Sequence, residues 1–172
     1  MRVISGALGG RRLVAPDGLT TRPTTDKVRQ AVFNSLAHTV ELDGAVVVDL
    51  FAGSWALGIE ALSRGAARCT FVERDRGALA ALRTNIAALG LDDRAAVVTG
   101  DVLAWVPSVR NVDIAFADPP YKLGLAKAIA ERWLDVPFAG VLSVEHWARD
   151  AMPPGGDLRR YGDTAITFYR GG

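Results

Sequence analysis

Three short apolar runs in the first two-thirds of this chain each close on an acid. Val46-Val47-Val48 leads into Asp49, Cys69-Thr70-Phe71-Val72 into Glu73, and Ala95-Ala96-Val97-Val98-Thr99 into Gly100-Asp101. Runs of this length, rich in β-branched residues, suit strands buried on both faces and are too short for buried helices. Stretches with helical periodicity separate them, as in Leu57, Ile59, Ala61 and Leu62. Strands alternating with helices imply a doubly wound, mainly parallel α/β sheet. The pattern predicts strands near 45–50, 68–73, 95–99, 111–117 and 139–145, with helices near 55–64, 75–89, 101–106 and 122–134. Pro153-Pro154-Gly155-Gly156 then precedes two closing strands near 157–161 and 164–170. The turn between them is so short that they should pair antiparallel.

The amino-terminal part reads differently. Val3-Ile4, a turn from Gly6 to Gly10 and Leu13-Val14 predict a short hairpin. Pro16 and Gly18 break it, and Pro23 opens a turn. Thr24 or Thr25 is placed to cap a helix with Val28, Val32, Phe33 and Leu36 along one face. Forty residues cannot bury a core alone, so residues 1–40 are expected to pack as an extension on one domain spanning 1–172. The net charge is only +1, but it is unevenly placed. Residues 1–40 hold six basic side chains (Arg2, Arg11, Arg12, Arg22, Lys27, Arg29) against Asp17 and Asp26. A basic arm on a mildly acidic body suits a phosphate backbone, although a solvated face gives the same composition. Cys69 has no partner for an internal disulfide, which points to a reducing compartment. There is no long apolar run and no signal-like start, so membrane anchoring is not expected. Neither His38 nor His146 has a ligand-spaced partner, so no metal site is indicated.

Two motifs carry chemistry. The first is Val46-Val47-Val48-Asp49-Leu50-Phe51-Ala52-Gly53-Ser54-Trp55-Ala56-Leu57-Gly58, a strand, a small-residue turn and a helix start. Glycine lets a ligand approach the main chain, and the helix start presents backbone amides. The run is not G-x-G-x-x-G, which argues against a dinucleotide pyrophosphate site and hence against an NAD-dependent oxidoreductase. Glu73, about 20 residues past the turn, suits the hydroxyls of an adenosine ribose, and Asp101 could meet an adenine edge. Any one of these acids could be an ordinary solvated strand end. Three of them closing successive strands are harder to dismiss.

The second motif, Asp118-Pro119-Pro120-Tyr121, follows the apolar run Val112-Asp113-Ile114-Ala115-Phe116-Ala117. Strand carboxyl ends are where open α/β sheets place ligands. The tetrapeptide could be a plain turn, but it also suits methyl transfer to the exocyclic amine of a base. That nitrogen pyramidalises and gains positive charge as it attacks. The Asp118 carboxylate and a carbonyl of the Pro119-Pro120 turn could accept its N–H groups. Proline donates no N–H here and stiffens the turn, and Tyr121 offers a stacking face.

These residues resemble the RsmD family of bacterial methyltransferases. The similarity runs through Arg2-Val3-Ile4-Ser5-Gly6, Gly10-Arg11-Arg12-Leu13 and Thr21-Arg22-Pro23-Thr24-Thr25-Asp26-Lys27-Val28-Arg29, and includes Phe33-Asn34. It continues in Asp49-Leu50-Phe51-Ala52-Gly53-Ser54, Gly58-Ile59-Glu60-Ala61-Leu62-Ser63-Arg64-Gly65-Ala66, Asp118-Pro119-Pro120-Tyr121 and Tyr161-Gly162-Asp163-Thr164. The resemblance implies a class I, Rossmann-like methyltransferase using S-adenosyl-L-methionine. It further implies action on the N2 amine of a guanine in small-subunit ribosomal RNA, naked or within a subunit or assembly intermediate. A cytoplasmic monomer is expected.

By the same resemblance Asp118, Pro119 and Tyr121 are catalytic. Asp49, Ala52, Gly53, Ser54, Glu73, Asp101 and Val102 would hold the cofactor. Arg11, Arg12, Arg22, Lys27 and Arg29 would meet RNA. One position departs from the pattern: Trp55 stands where the family motif has glycine. Its ring either points away and packs against another element or narrows the cofactor pocket. Two other readings stay open: an amino methyltransferase of DNA, for which the chain has little room for a target-recognition domain, and a non-catalytic RNA-binding protein with the pocket blocked by Trp55.

Overall fold

The computed structural model describes residues 1–16, 26–53, 57–120 and 124–171. Seven strands form one sheet: β1 Val46–Leu50, β2 Arg68–Glu73, β3 Ala95–Thr99, β4 Ile114–Ala117, β5 Val141–Trp147, β6 Asp157–Tyr161 and β7 Thr164–Arg170. Their order across the sheet is β3-β2-β1-β4-β5-β7-β6. The first five in this order run parallel, and β7 lies antiparallel to both β5 and β6. The mainly parallel α/β sheet and its antiparallel closure are thus as the sequence pattern predicts. β6 and β7 are joined by the two-residue turn Gly162-Asp163, with Gly162 at φ 66°.

Helices cover both faces, because strands that are apolar on both sides need cover on both. On one face lie α1 (Asp26–Ala37), α2 (Leu57–Ser63) and α3 (Arg76–Ala88). They pack Val32, Phe33, Leu57, Leu62, Leu82 and Ile86 against Val47, Phe71, Ile114 and Phe116. On the other face lie α4 (Val102–Trp105) and α5 (Leu125–Asp135), with Ile129 and Trp133 against Val48, Leu50, Leu142 and Val144. Val3 and Leu13 of the amino-terminal segment join the first of these cores.

Several boundaries differ from expectation for local reasons. β4 starts at Ile114, not 111, because Asn111 takes a left-handed φ of 59° and Asp113 turns its carboxylate onto the Val46 N–H at 2.8 Å. β5 runs on to Trp147 because β7 pairs with it up to Thr164. α4 is a single turn, followed by a 3₁₀ turn over Val106–Ser108 with Pro107 inside it. The expected hairpin is reduced to one bridge between Arg2 and Arg12, supported by Val3 N–H to Arg11 O and Gly10 N–H to Val3 O. Thr24, Thr25 and the cap assigned to them lie outside the described residues.

Candidate active site

β1 and β4 are neighbours in the sheet, yet their connections leave in opposite directions. This is the switch point at which open α/β sheets bind ligands. The β1 end supplies the first group. Asp49 is 2% exposed, and its Oδ2 accepts the Gly58 N–H at 2.9 Å across the turn into α2. Burial raises its pKa to about 8; the Gly58 hydrogen bond works against that rise, and the nearby Glu73 charge adds to it. α2 lies tight against β2 here: a Cβ on Gly58 would fall 2.5 Å from the Phe71 ring and 2.6 Å from Cys69 Sγ.

The turn after β1 is backbone-strained. Phe51 has φ 60°, which a non-glycine residue rarely adopts, and Gly53 has φ 39°. Strain of this kind gathers at functional loops, where the surroundings over-determine the geometry. Two hydrogen bonds hold this one: Ala52 N–H donates to Val72 O at 2.9 Å, and Gly53 N–H donates to Glu73 Oε1 at 2.7 Å. Glu73 Oε2 also accepts from the Arg74 and Asp75 N–H groups at 2.8 and 3.0 Å. A carboxylate has about four acceptor positions, so Glu73 can fix the turn and still accept from a sugar hydroxyl.

Asp101 ends β3 at the same edge of the sheet but has a job of its own. Its Oδ2 caps α4 by accepting the Ala104 N–H at 2.9 Å, and Arg74 Nη1 stands 3.9 Å from its Oδ1. Val102 is buried behind it. The pairing of Leu50 with Ala117 carries β4 to the same level as β1, so Asp118 emerges beside Phe51. Asp118 is half-buried and Pro119 buried. Asp49, Ala52, Gly53, Glu73, Asp101 and Asp118 thus share one edge of the sheet. Ser54, Trp55 and Tyr121 lie outside the described residues, as does Arg22. A glycine turn flanked by carboxylates with spare acceptor positions fits a cofactor carrying a cationic amino group and a ribose diol.

The basic arm needs one correction. Arg11, Arg12 and Lys27 are exposed, Arg11 also donating to Ala88 O at 3.1 Å. Arg29 is not available to RNA, because it is 0% exposed. Its Nη2 donates to Asp26 Oδ1 at 2.6 Å and to Arg2 O at 2.8 Å, and its Nη1 lies 3.6 Å from Glu60 Oε1. The i, i+4 apolar spacing of Val28 and Val32 turns that flank of α1 inward and takes Arg29 with it.

Sequence reasoning gave no role of their own to two acids. Glu60 is fully buried in α2 and accepts from Ile4 N–H at 2.8 Å, Ser5 N–H at 3.0 Å and Arg64 Nε at 2.9 Å, clamping the amino-terminal segment to the helix. Glu145, 3% exposed, stands near the carboxyl end of β5. The signal for both was an acid inside an otherwise apolar run.

The sheet order, the strained glycine turn at the switch point and the carboxylates along one edge define a class I methyltransferase, the class that takes its methyl group from S-adenosyl-L-methionine. The chain belongs to the family described as conserved hypothetical protein 95, the RsmD family, whose profile matches residues 1–170. It is 38% identical over 183 residues to YlbH of Bacillus subtilis, covering 99% of this chain and 98% of that one. It is 42% identical over 126 residues to ribosomal RNA small subunit methyltransferase D of Escherichia coli K12, covering 73% of this chain and 62% of that protein. The structure of the Escherichia coli yhhF protein superposes with a TM-score of 0.83 at 34% identity, covering 99% of this chain and 97% of that one.

Proposed function

We propose that this chain methylates the exocyclic N2 amine of a guanine in small-subunit ribosomal RNA. The observation that carries this reading is the position of Asp118-Pro119-Pro120 directly beside the β1 turn at the switch point. A target amine held by this motif would be close to a methyl group held over Gly53. The relatives' names supply the substrate class.

S-adenosyl-L-methionine supplies an electrophilic methyl group on a sulfonium. The protein's part is to hold both reactants and to stabilise charge. Glu73 is assigned to the ribose, Asp101 and Val102 to the adenine, and Asp49, Ala52, Gly53 and Ser54 to the amino-acid end. Asp118 accepts one N–H of the target amine and a carbonyl of the Pro119-Pro120 turn the other, which stabilises the positive charge that grows on nitrogen. The methylated cationic amine is acidic enough to lose its proton to water without a tuned base. Tyr121 stacks the base, which must leave its helix to arrive here. Arg11, Arg12, Arg22 and Lys27 are assigned to RNA phosphates.

The unit proposed is one domain over 1–172, with 1–40 as its RNA-facing extension. It acts as a cytoplasmic monomer on RNA in a small subunit or an assembly intermediate. Among the described residues no helix is long and apolar enough to cross a membrane. The test is methyl transfer from labelled cofactor to small subunits lacking modification, followed by nucleoside analysis. N2-methylguanosine is expected. Label on adenosine or cytidine, or none at all, would refute the assignment.

A further inference from the structure

We infer that Glu145 determines the base specificity of this site by accepting the N1–H of the target guanine. The inference rests on the guanine reading above and deepens it. Asp-Pro-Pro-Tyr accepts an exocyclic amine but does not identify the base that carries it. Guanine, adenine and cytosine all present an amine. They differ at the adjacent ring nitrogen, which is a donor N1–H in guanine and a bare acceptor in adenine and cytosine. A second acceptor placed beside Asp118 would read that difference.

Glu145 has the required position. Ala117 and Val144 are paired in the β4–β5 ladder, so Asp118 and Glu145 are the next residues on adjacent parallel strands. Adjacent strands lie about 4.8 Å apart. Two carboxylates at that spacing can converge on neighbouring donors of one base edge. The two residues also share a face. Ile114 and Phe116 belong to the core under α1–α3, while Ala115 and Ala117 belong to the opposite one. The alternation carries Asp118 to the α1 side. Glu145 is opposite Ile166 in the β5–β7 ladder, and Ile166 lies in that same core. Trp147 follows two residues later, half-buried with the Arg149 guanidinium 5.3 Å from its ring centroid. Burial matters as well: at 3% exposure Glu145 is screened little by water. An acceptor lone pair of adenine or cytosine set against it would meet repulsion as well as lose a hydrogen bond. Sites built to hydrogen-bond one polar group reject analogues lacking it far more strongly than apolar pockets reject a missing methylene.

The experiment uses the full chain and small-subunit RNA carrying either guanine or 2-aminopurine at the methylated position, once that position has been located by nucleoside mapping. 2-Aminopurine keeps the amine and loses the N1–H. The wild-type protein should lose on the order of 100-fold in kcat/KM on 2-aminopurine. Glu145→Leu, which has no acceptor, should lose a similar factor on guanine and equal or exceed the wild type on 2-aminopurine, because the repulsion from the bare N1 lone pair is gone. Melting temperature and cofactor affinity of the variant serve as controls for folding. If Glu145→Leu lowers activity on both bases equally, or on neither, Glu145 does not read the base and the inference falls while the guanine assignment stands. If the wild type forms no N2-methylguanosine at all, both fall together.

Discussion

Glu73 Oε1 accepts the Gly53 N–H at 2.7 Å, so the acid that closes β2 holds the turn that closes β1. With Glu73 assigned to the cofactor ribose, its removal should affect cofactor binding twice: by loss of an acceptor and by release of the turn. Glu73→Ala should weaken S-adenosyl-L-methionine binding by about 1.5–3 kcal/mol, the range for a lost charge-assisted hydrogen bond. Titration calorimetry measures it. Hydrogen exchange at Gly53 should speed up in the same variant even without cofactor, which a residue acting only on the ligand would not cause.

Asp118 is assigned to the target amine and not to the cofactor. Asp118→Ala should lower turnover by about 10²–10³, the usual result of removing one charge-stabilising group, with cofactor affinity unchanged. Wild-type turnover at saturating RNA would remove Asp118 from the chemistry.

The Asp49 carboxyl imposes a pH dependence on stability. Its pKa is about 8 in the folded protein against 3.8 ordinarily, so between these values the folded chain holds a proton that the unfolded chain releases. The stabilisation is complete below about pH 4 and declines as pH rises toward 8, by roughly 6 kcal/mol at the limit. Asp49→Asn keeps an acceptor for the Gly58 N–H and cannot ionise. Melting temperatures of the two proteins should therefore diverge from pH 5 to pH 8, with the wild type falling relative to the variant. Parallel curves would count against this assignment.

Glu60 joins the amino-terminal segment to α2 through two backbone N–H groups and two arginines. Glu60→Ala leaves the Ile4 and Ser5 N–H donors without their acceptor and Arg29 with Asp26 as its remaining carboxylate partner, and should cost about 3–5 kcal/mol by chemical denaturation. Gly6→Ala probes the same contact independently. Gly6 has φ 83°, and an added Cβ would come within 2.0 Å of Ser63 O, so this variant should also be destabilised.

Arg11→Glu combined with Arg12→Glu should weaken RNA binding and flatten its dependence on salt, because fewer counterions are released. Cofactor affinity should be untouched. An unchanged salt slope would leave these arginines as surface cover.

Periodicity and local chemistry determined most of the framework. Val46-Val47-Val48 and its neighbouring runs can be stably buried only as strands covered on both faces, which is why the α/β alternation and the strand-end acids Asp49, Glu73 and Asp118 are legible in one dimension. Arg29 is the counterexample: read along the chain it belongs to a basic arm, and only the packing of α1 on the sheet shows it buried against Glu60. The hydrogen bond from Gly53 to Glu73 spans 20 residues, and the Asp118–Glu145 neighbourhood depends on the β4–β5 register. Trp55 is conspicuous in the sequence and lies outside the described residues. Hydrophobic pattern reports which residues leave water. Which charges meet after they leave depends on strand order and register, and these are set by contacts between residues far apart in the chain.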